Sequence, residues 1–104
     1  MGKKEVIAQL KGFKRKLSRD IPIDKMIFFG SRATGKPRKE SDVDLIIVSH
    51  EFGTKAFRER PLGFYRHWKL DSPFDFLCYT PKEFEKLKKQ LTIVREADKT
   101  GIII

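Results

Sequence analysis

Asp42 and Asp44 stand two residues apart in Ser41-Asp42-Val43-Asp44, directly ahead of the apolar run Leu45-Ile46-Ile47-Val48. On a strand that spacing puts both carboxylates on one face. Two like charges that close repel, and on a core-facing surface they are costly unless a cation sits between them. A divalent metal is the simple resolution. Hard oxygen ligands select Mg²⁺ or Mn²⁺ over zinc, and Mg²⁺ typically binds through one or two carboxylates plus substrate phosphates. The competing reading is a solvated pair at a strand start. A third carboxylate, Asp75, lies between Phe74 and Phe76 in an otherwise apolar run. Three carboxylates around two Mg²⁺ ions make a site for in-line phosphoryl or nucleotidyl transfer.

The phosphate side of such a site is sought in Gly30-Ser31-Arg32-Ala33-Thr34-Gly35-Lys36, which matches the first seven positions of a P-loop. The eighth position is Pro37, where a P-loop needs a Ser or Thr hydroxyl for Mg²⁺. Proline also biases Lys36 away from the α region, so no helix is expected to run on from the glycine turn as in a P-loop. The turn can still serve phosphate by another route. Gly30 lets the backbone approach closely, and Ser31 offers a hydroxyl and an N–H. Arg32, Lys36, Arg38 and Lys39 bring positive charge.

These groups work together only if the elements around them bring them to one place. Val6, Leu10, Phe13 and Leu17 recur at helical spacing among lysines and arginines, predicting an amphipathic helix over about 4–18 with a basic outer face. Ile23 to Phe29 reads as a buried strand closed by Gly30, Leu45 to Val48 as a second, and Phe74 to Tyr79 as a third. If the first two pair antiparallel, the glycine turn and the aspartates meet at one sheet end. If the crossover through 51–70 brings the third in parallel beside the second, Asp75 lands next to Asp42 and Asp44. Asp71 is the competing carboxylate.

Within 51–70, Phe64 and Trp68 are expected to line a short helix opened by Pro61. Thr80-Pro81-Lys82-Glu83 is a capping box, with Tyr79 and Phe84 as its hydrophobic staple and Leu87 and Leu91 continuing the buried stripe. Ile102 to Ile104 reads as a closing edge strand or a partner contact. The expected fold is a single α+β domain over 1–104, a small mixed sheet flanked by helices.

Composition bounds the function. The 104 residues suffice for one modest core, and 39% hydrophobic residues argue against disorder. A net charge of +9 favours a polyanionic partner: nucleotide, nucleic acid or an acidic protein surface. With 36% charged residues and no Asn, the chain also has the bias of proteins from hot environments. The lone Cys78 excludes an internal disulfide and fits a reducing cytosol, and reads as a small buried hydrophobe. No stretch approaches a membrane span and the first ten residues lack a signal-peptide block, so a cytoplasmic protein is expected. His50 and His67 have no partner at zinc-ligand spacing.

The order apolar strand, Gly30-Ser31, short basic loop, Ser41-Asp42-Val43-Asp44-Leu45, then a later strand with a single Asp75 resembles the nucleotidyltransferase superfamily of DNA polymerase β. In its short length the chain resembles the minimal nucleotidyltransferase (MNT) domains. The resemblance implies that Gly30, Ser31 and Ser41 sit in the nucleoside triphosphate site, ATP or another NTP. It implies that Asp42 and Asp44 bind the metals, and that Asp75 binds the catalytic metal and helps deprotonate an acceptor hydroxyl. Where the family often has Arg this chain has Thr34, which leaves that phosphate contact to Arg32, Lys36 or Arg38. The family also implies a HEPN-domain protein as a toxin–antitoxin partner. The chain's small size suggests an acceptor site shared with a partner or a second copy. The competing functions are a non-catalytic nucleotide-binding or partner-neutralising module and, more weakly, a nucleic-acid-binding protein driven by its charge.

Overall fold

A computed structural model describes residues 2–34, 42–90 and 92–104. Four strands form one sheet in the order β3-β2-β1-β4: β1 is Lys25–Phe29, β2 Val43–Val48, β3 Phe74–Tyr79 and β4 Ile102–Ile103. β1 runs antiparallel to both β2 and β4, and β2 runs parallel to β3. The fold is therefore the mixed α+β arrangement expected from the sequence, with both pairings in the sense that the site requires.

Strand alternation divides the core between the two faces of the sheet. Met26, Phe28, Val43, Leu45 and Ile47 face α1 (Lys3–Leu17), which buries Val6, Leu10, Phe13 and Leu17 against them. Ile27, Phe29, Ile46 and Val48 face α3 (Pro81–Leu87) and α4 (Ile93–Thr100), through Phe84, Val94 and Ala97. Because both faces are covered, β1 and β2 read as continuous apolar runs rather than as alternating ones.

The capping box forms as read. Thr80 Oγ1 accepts from the Glu83 N–H, and Glu83 Oε1 accepts from the Thr80 N–H at 2.8 Å. Phe84 is buried, and Tyr79 packs against the same cluster.

Several expectations need correction. The first strand begins at Lys25 rather than Ile23. α3 ends at Leu87, and Leu91 lies outside the described residues. The crossover holds three short 3-10 turns, at His50–Thr54, Phe57–Glu59 and Phe64–His67. The last of these opens after Gly63, which has φ +87°, rather than at Pro61, and Trp68 ends it. α4 was not foreseen. The tail resolves as the edge strand: Ile102 and Ile103 pair with β1, the Ile104 N–H donates to Met26 O, and Lys14 Nζ donates to Ile104 O at 2.7 Å.

Candidate functional site

The site is the sheet end at which β1 finishes and β2 and β3 begin. In the ladder Phe29 stands opposite Asp44, and Asp44 stands beside Asp75. Asp42 shares Asp44's side of the strand direction and is exposed just ahead of β2. The crossover that was only conditional in sequence thus brings Asp42, Asp44 and Asp75 to one edge. Asp71 sits in the turn ahead of β3 and takes no place in the ladder.

Gly30 follows Phe29 directly and has φ +85°, a left-handed conformation that favours glycine. A Cβ at this position would run into Oδ2 of Asp44. The backbone angle requires the glycine, and a Cβ there would also force the Asp44 carboxylate to swing aside. After it the chain makes a single helical turn, α2 (Ser31–Thr34), in which the Ala33 and Thr34 N–H groups donate to Gly30 O. A helix does start at the glycine turn, against the expectation drawn from Pro37. The proline is three residues beyond α2, too late to prevent one turn.

The electrostatics report a crowded set of like charges. Partial burial raises the Asp44 carboxyl above its ordinary value of 3.8, and the negative charges of Asp75 and then Asp42 raise it further. Among the described residues no three His, Cys, Asp or Glu side chains converge closely enough to hold an ion as they stand. The aspartates share a sheet end and feel one another without closing into a ready-made cage, as mutual repulsion dictates. Their oxygens are hard ligands at a site that penalises uncompensated negative charge, so these residues fit a divalent cation such as Mg²⁺. Among the described residues, two cavities lie elsewhere. One of about 380 Å³ is lined by Phe57, Tyr79 and Leu87 among others, and one of about 350 Å³ lies at the start of α4.

Among the expected phosphate ligands, Ser31 is exposed at the start of α2 and Arg32 is half-buried. Arg32 Nη1 donates to Ser72 Oγ at 2.7 Å, tying α2 to the turn that enters β3. Trp68 Nε1 donates to Ser72 O at 2.9 Å, and the Val43 N–H donates to Pro73 O at 2.9 Å. Three bonds therefore fix the approach to Asp75. No spacing signal marks Ser72 in the sequence, because its partners are distant in the chain. Lys36, Arg38, Lys39 and Ser41 lie outside the described residues.

The two histidines and the cysteine stay structural. His50 Nδ1 meets Asp24 at 3.0 Å and His67 Nε2 meets Asp20 at 2.7 Å. Burial pushes the Cys78 thiol up to about 12, which leaves it protonated and inert.

Fold and sheet end together define a class: a small mixed-sheet protein that sets acidic residues beside a glycine turn, built like a nucleotidyltransferase. Sequence comparison gives the particular family. Residues 10–102 match the nucleotidyltransferase domain, and the chain belongs to that family. Its fold is similar to the crystal structure of a provisionally assigned nucleotidyltransferase from Sulfolobus solfataricus, with a TM-score of 0.58 at 18% identity over 99% of this chain and 87% of the other. A second provisionally assigned nucleotidyltransferase structure is 30% identical over 80% of this chain and 87% of its own, with a TM-score of 0.48. No curated protein matches the chain.

Proposed function

We propose that the chain is a divalent-metal-dependent nucleotidyltransferase, taking ATP or another nucleoside triphosphate and passing the nucleotidyl group to a hydroxyl acceptor. The observation that carries this reading is the side-by-side register of Asp44 and Asp75 with Gly30 folded against Asp44. Asp42, Asp44 and Asp75 would hold Mg²⁺ or Mn²⁺, which when bound neutralises phosphate charge and polarises the phosphorus under attack. Gly30, against Asp44, and the exposed Ser31 would offer backbone and hydroxyl donors to the triphosphate tail. Asp75, exposed and beside Asp44, is placed to take the acceptor's proton as its oxygen attacks the α-phosphorus and pyrophosphate departs. The minimal nucleotidyltransferase reading and a HEPN-domain partner rest on the sequence resemblance.

Calorimetric titration of ATP with Mg²⁺ present tests the site. The wild type should bind, and the Asp42→Asn/Asp44→Asn variant should lose at least about tenfold in affinity. Equal affinity in the two proteins would remove the aspartates from the site. Asp44→Asn should also bring transfer to background in a labelled-nucleotide assay.

A further inference from the structure

The outer face of α1 carries more positive charge than the fold pairs among the described residues. Residues 3–19 hold seven Lys or Arg against one acid, Glu5. Residues 81–100, which include α3 and α4, hold six against four, with Lys88 paired to Glu85 at 2.9 Å. On α1 the exposed Lys4, Lys11 and Arg15 lie on one stripe opposite the buried one, about 10 and 6 Å apart along the axis. None of the three has an ion-pair partner among the described residues. The helix dipole favours Arg15 in the last turn, but Lys11 and Arg15 are like charges at i,i+4, and Lys3 and Lys4 sit in the first turn, where the dipole disfavours cations. A chain selected for heat resistance would be expected to pair such charges into networks, as α3 begins to do.

A second exposed segment lies against the same helix. The 3-10 turn Phe64–His67 is tied to the end of α1, because Arg66 and His67 both bind Asp20, at 2.8 and 2.7 Å. Beside them Tyr65 is 69% exposed, and Lys69 is exposed too.

We infer that α1 and this turn form a binding face for single-stranded nucleic acid. Lys4, Lys11 and Arg15 contact phosphates, and Tyr65 stacks on a base. The face suits this occupant better than others. A protein partner needs an apolar centre, and the α1 part of the face has none: its exposed positions, Lys4, Ala8, Lys11 and Arg15, hold no large apolar residue, which leaves the Tyr65 ring set among cations. A membrane needs the helix's apolar side, and Val6, Leu10, Phe13 and Leu17 are spent in the core at 2% exposure or less. The inference is independent of the transfer chemistry.

The test is fluorescence anisotropy with a labelled single-stranded RNA of about 15 nucleotides, using the whole chain at several salt concentrations. Lys4→Gln/Lys11→Gln/Arg15→Gln should weaken binding about tenfold or more. It should also flatten the slope of log K against log salt by about 2, at roughly 0.7 per lost contact. Lys82→Gln/Lys86→Gln/Lys89→Gln removes the same charge from the α3 side and should stay within about twofold of wild type. Tyr65→Ala should cost about fivefold or more. Equal losses from the two triple variants, no effect of Tyr65→Ala, or equal competition by polyglutamate would each overturn the inference. So would absence of wild-type binding at low salt. Circular dichroism of each variant keeps misfolding from passing as lost binding.

Discussion

The two ends of β3 treat charge in opposite ways. At its start Asp75 lies beside Asp44 with like charges set together. At its far end Arg60 is only 6% exposed, yet it pairs with Glu83 at 2.5 Å through Nη1 and at 3.2 Å through Nη2. It also donates to Cys78 O at 3.1 Å and Lys55 O at 3.3 Å. Glu83 in turn caps α3. The far end balances its charges from within the chain, holding the crossover, β3 and α3 together. At the near end Asp75 and Asp42 push against Asp44 instead, a crowding of like charge that a bound cation would relieve. That difference separates a structural ion cluster from a candidate site more sharply than the presence of charged residues does.

The largest test of the contrast is Arg60→Ala. It strands the Cys78 carbonyl and leaves Glu83 without its partner, and should cost about 3 kcal/mol in denaturant unfolding, the low end for a broken buried pair because Glu83 is partly exposed. At the near end, Gly30→Ala forces a left-handed angle on alanine and drives a methyl into Asp44. A loss of about 2 kcal/mol is expected, together with weaker metal-dependent nucleotide binding by calorimetry. Next comes a thermal-shift measurement with Mg²⁺ at roughly a hundredfold over its dissociation constant. It should stabilise the wild type by about 2.7 kcal/mol or less and leave Asp42→Asn/Asp44→Asn unmoved. An equal gain in both proteins would place the ion elsewhere.

The pH responses of the two ends should have opposite signs. The Arg60 hydrogen bonds hold Glu83 below its ordinary 4.5, so its contribution is present above that pH and is lost as pH falls through the lowered value. Melting curves of Glu83→Gln should therefore converge on wild type in acid. Asp44 is raised, so its neutral form favours the fold at low pH, and that benefit is lost as pH rises through its folded value. The smallest effect follows: without metal at neutral pH, Asp44→Asn should melt at or slightly above wild type.

Much of the near end was legible because it is written in local pattern. Two apolar runs, a glycine between them and an Asp-x-Asp at the second strand's start specify register and face at once. The capping box was equally plain, since its partners are three residues apart. α4 was hidden because it buries only Val94 and Ala97, too few positions to show a helical period, although Thr92, which accepts from the Arg95 N–H, marks its start. The role of Arg60 was hidden for the opposite reason. Its partners are Lys55, Cys78 and Glu83, up to 23 residues away, and in sequence it is one more arginine in a basic chain. Ser72 escaped likewise.

Arg60 has one more consequence, for solubility. β3 is an outer strand, and its backbone groups alternate between β2 and the open side. The Ser49 N–H takes Tyr79 O on the inner side, while Arg60 takes Cys78 O on the outer one. An unpaired strand edge is a template onto which another chain can add itself. By occupying that acceptor the guanidinium acts as a stopper against edge-to-edge growth, and its removal would leave the strand open to self-assembly as well as looser in its fold.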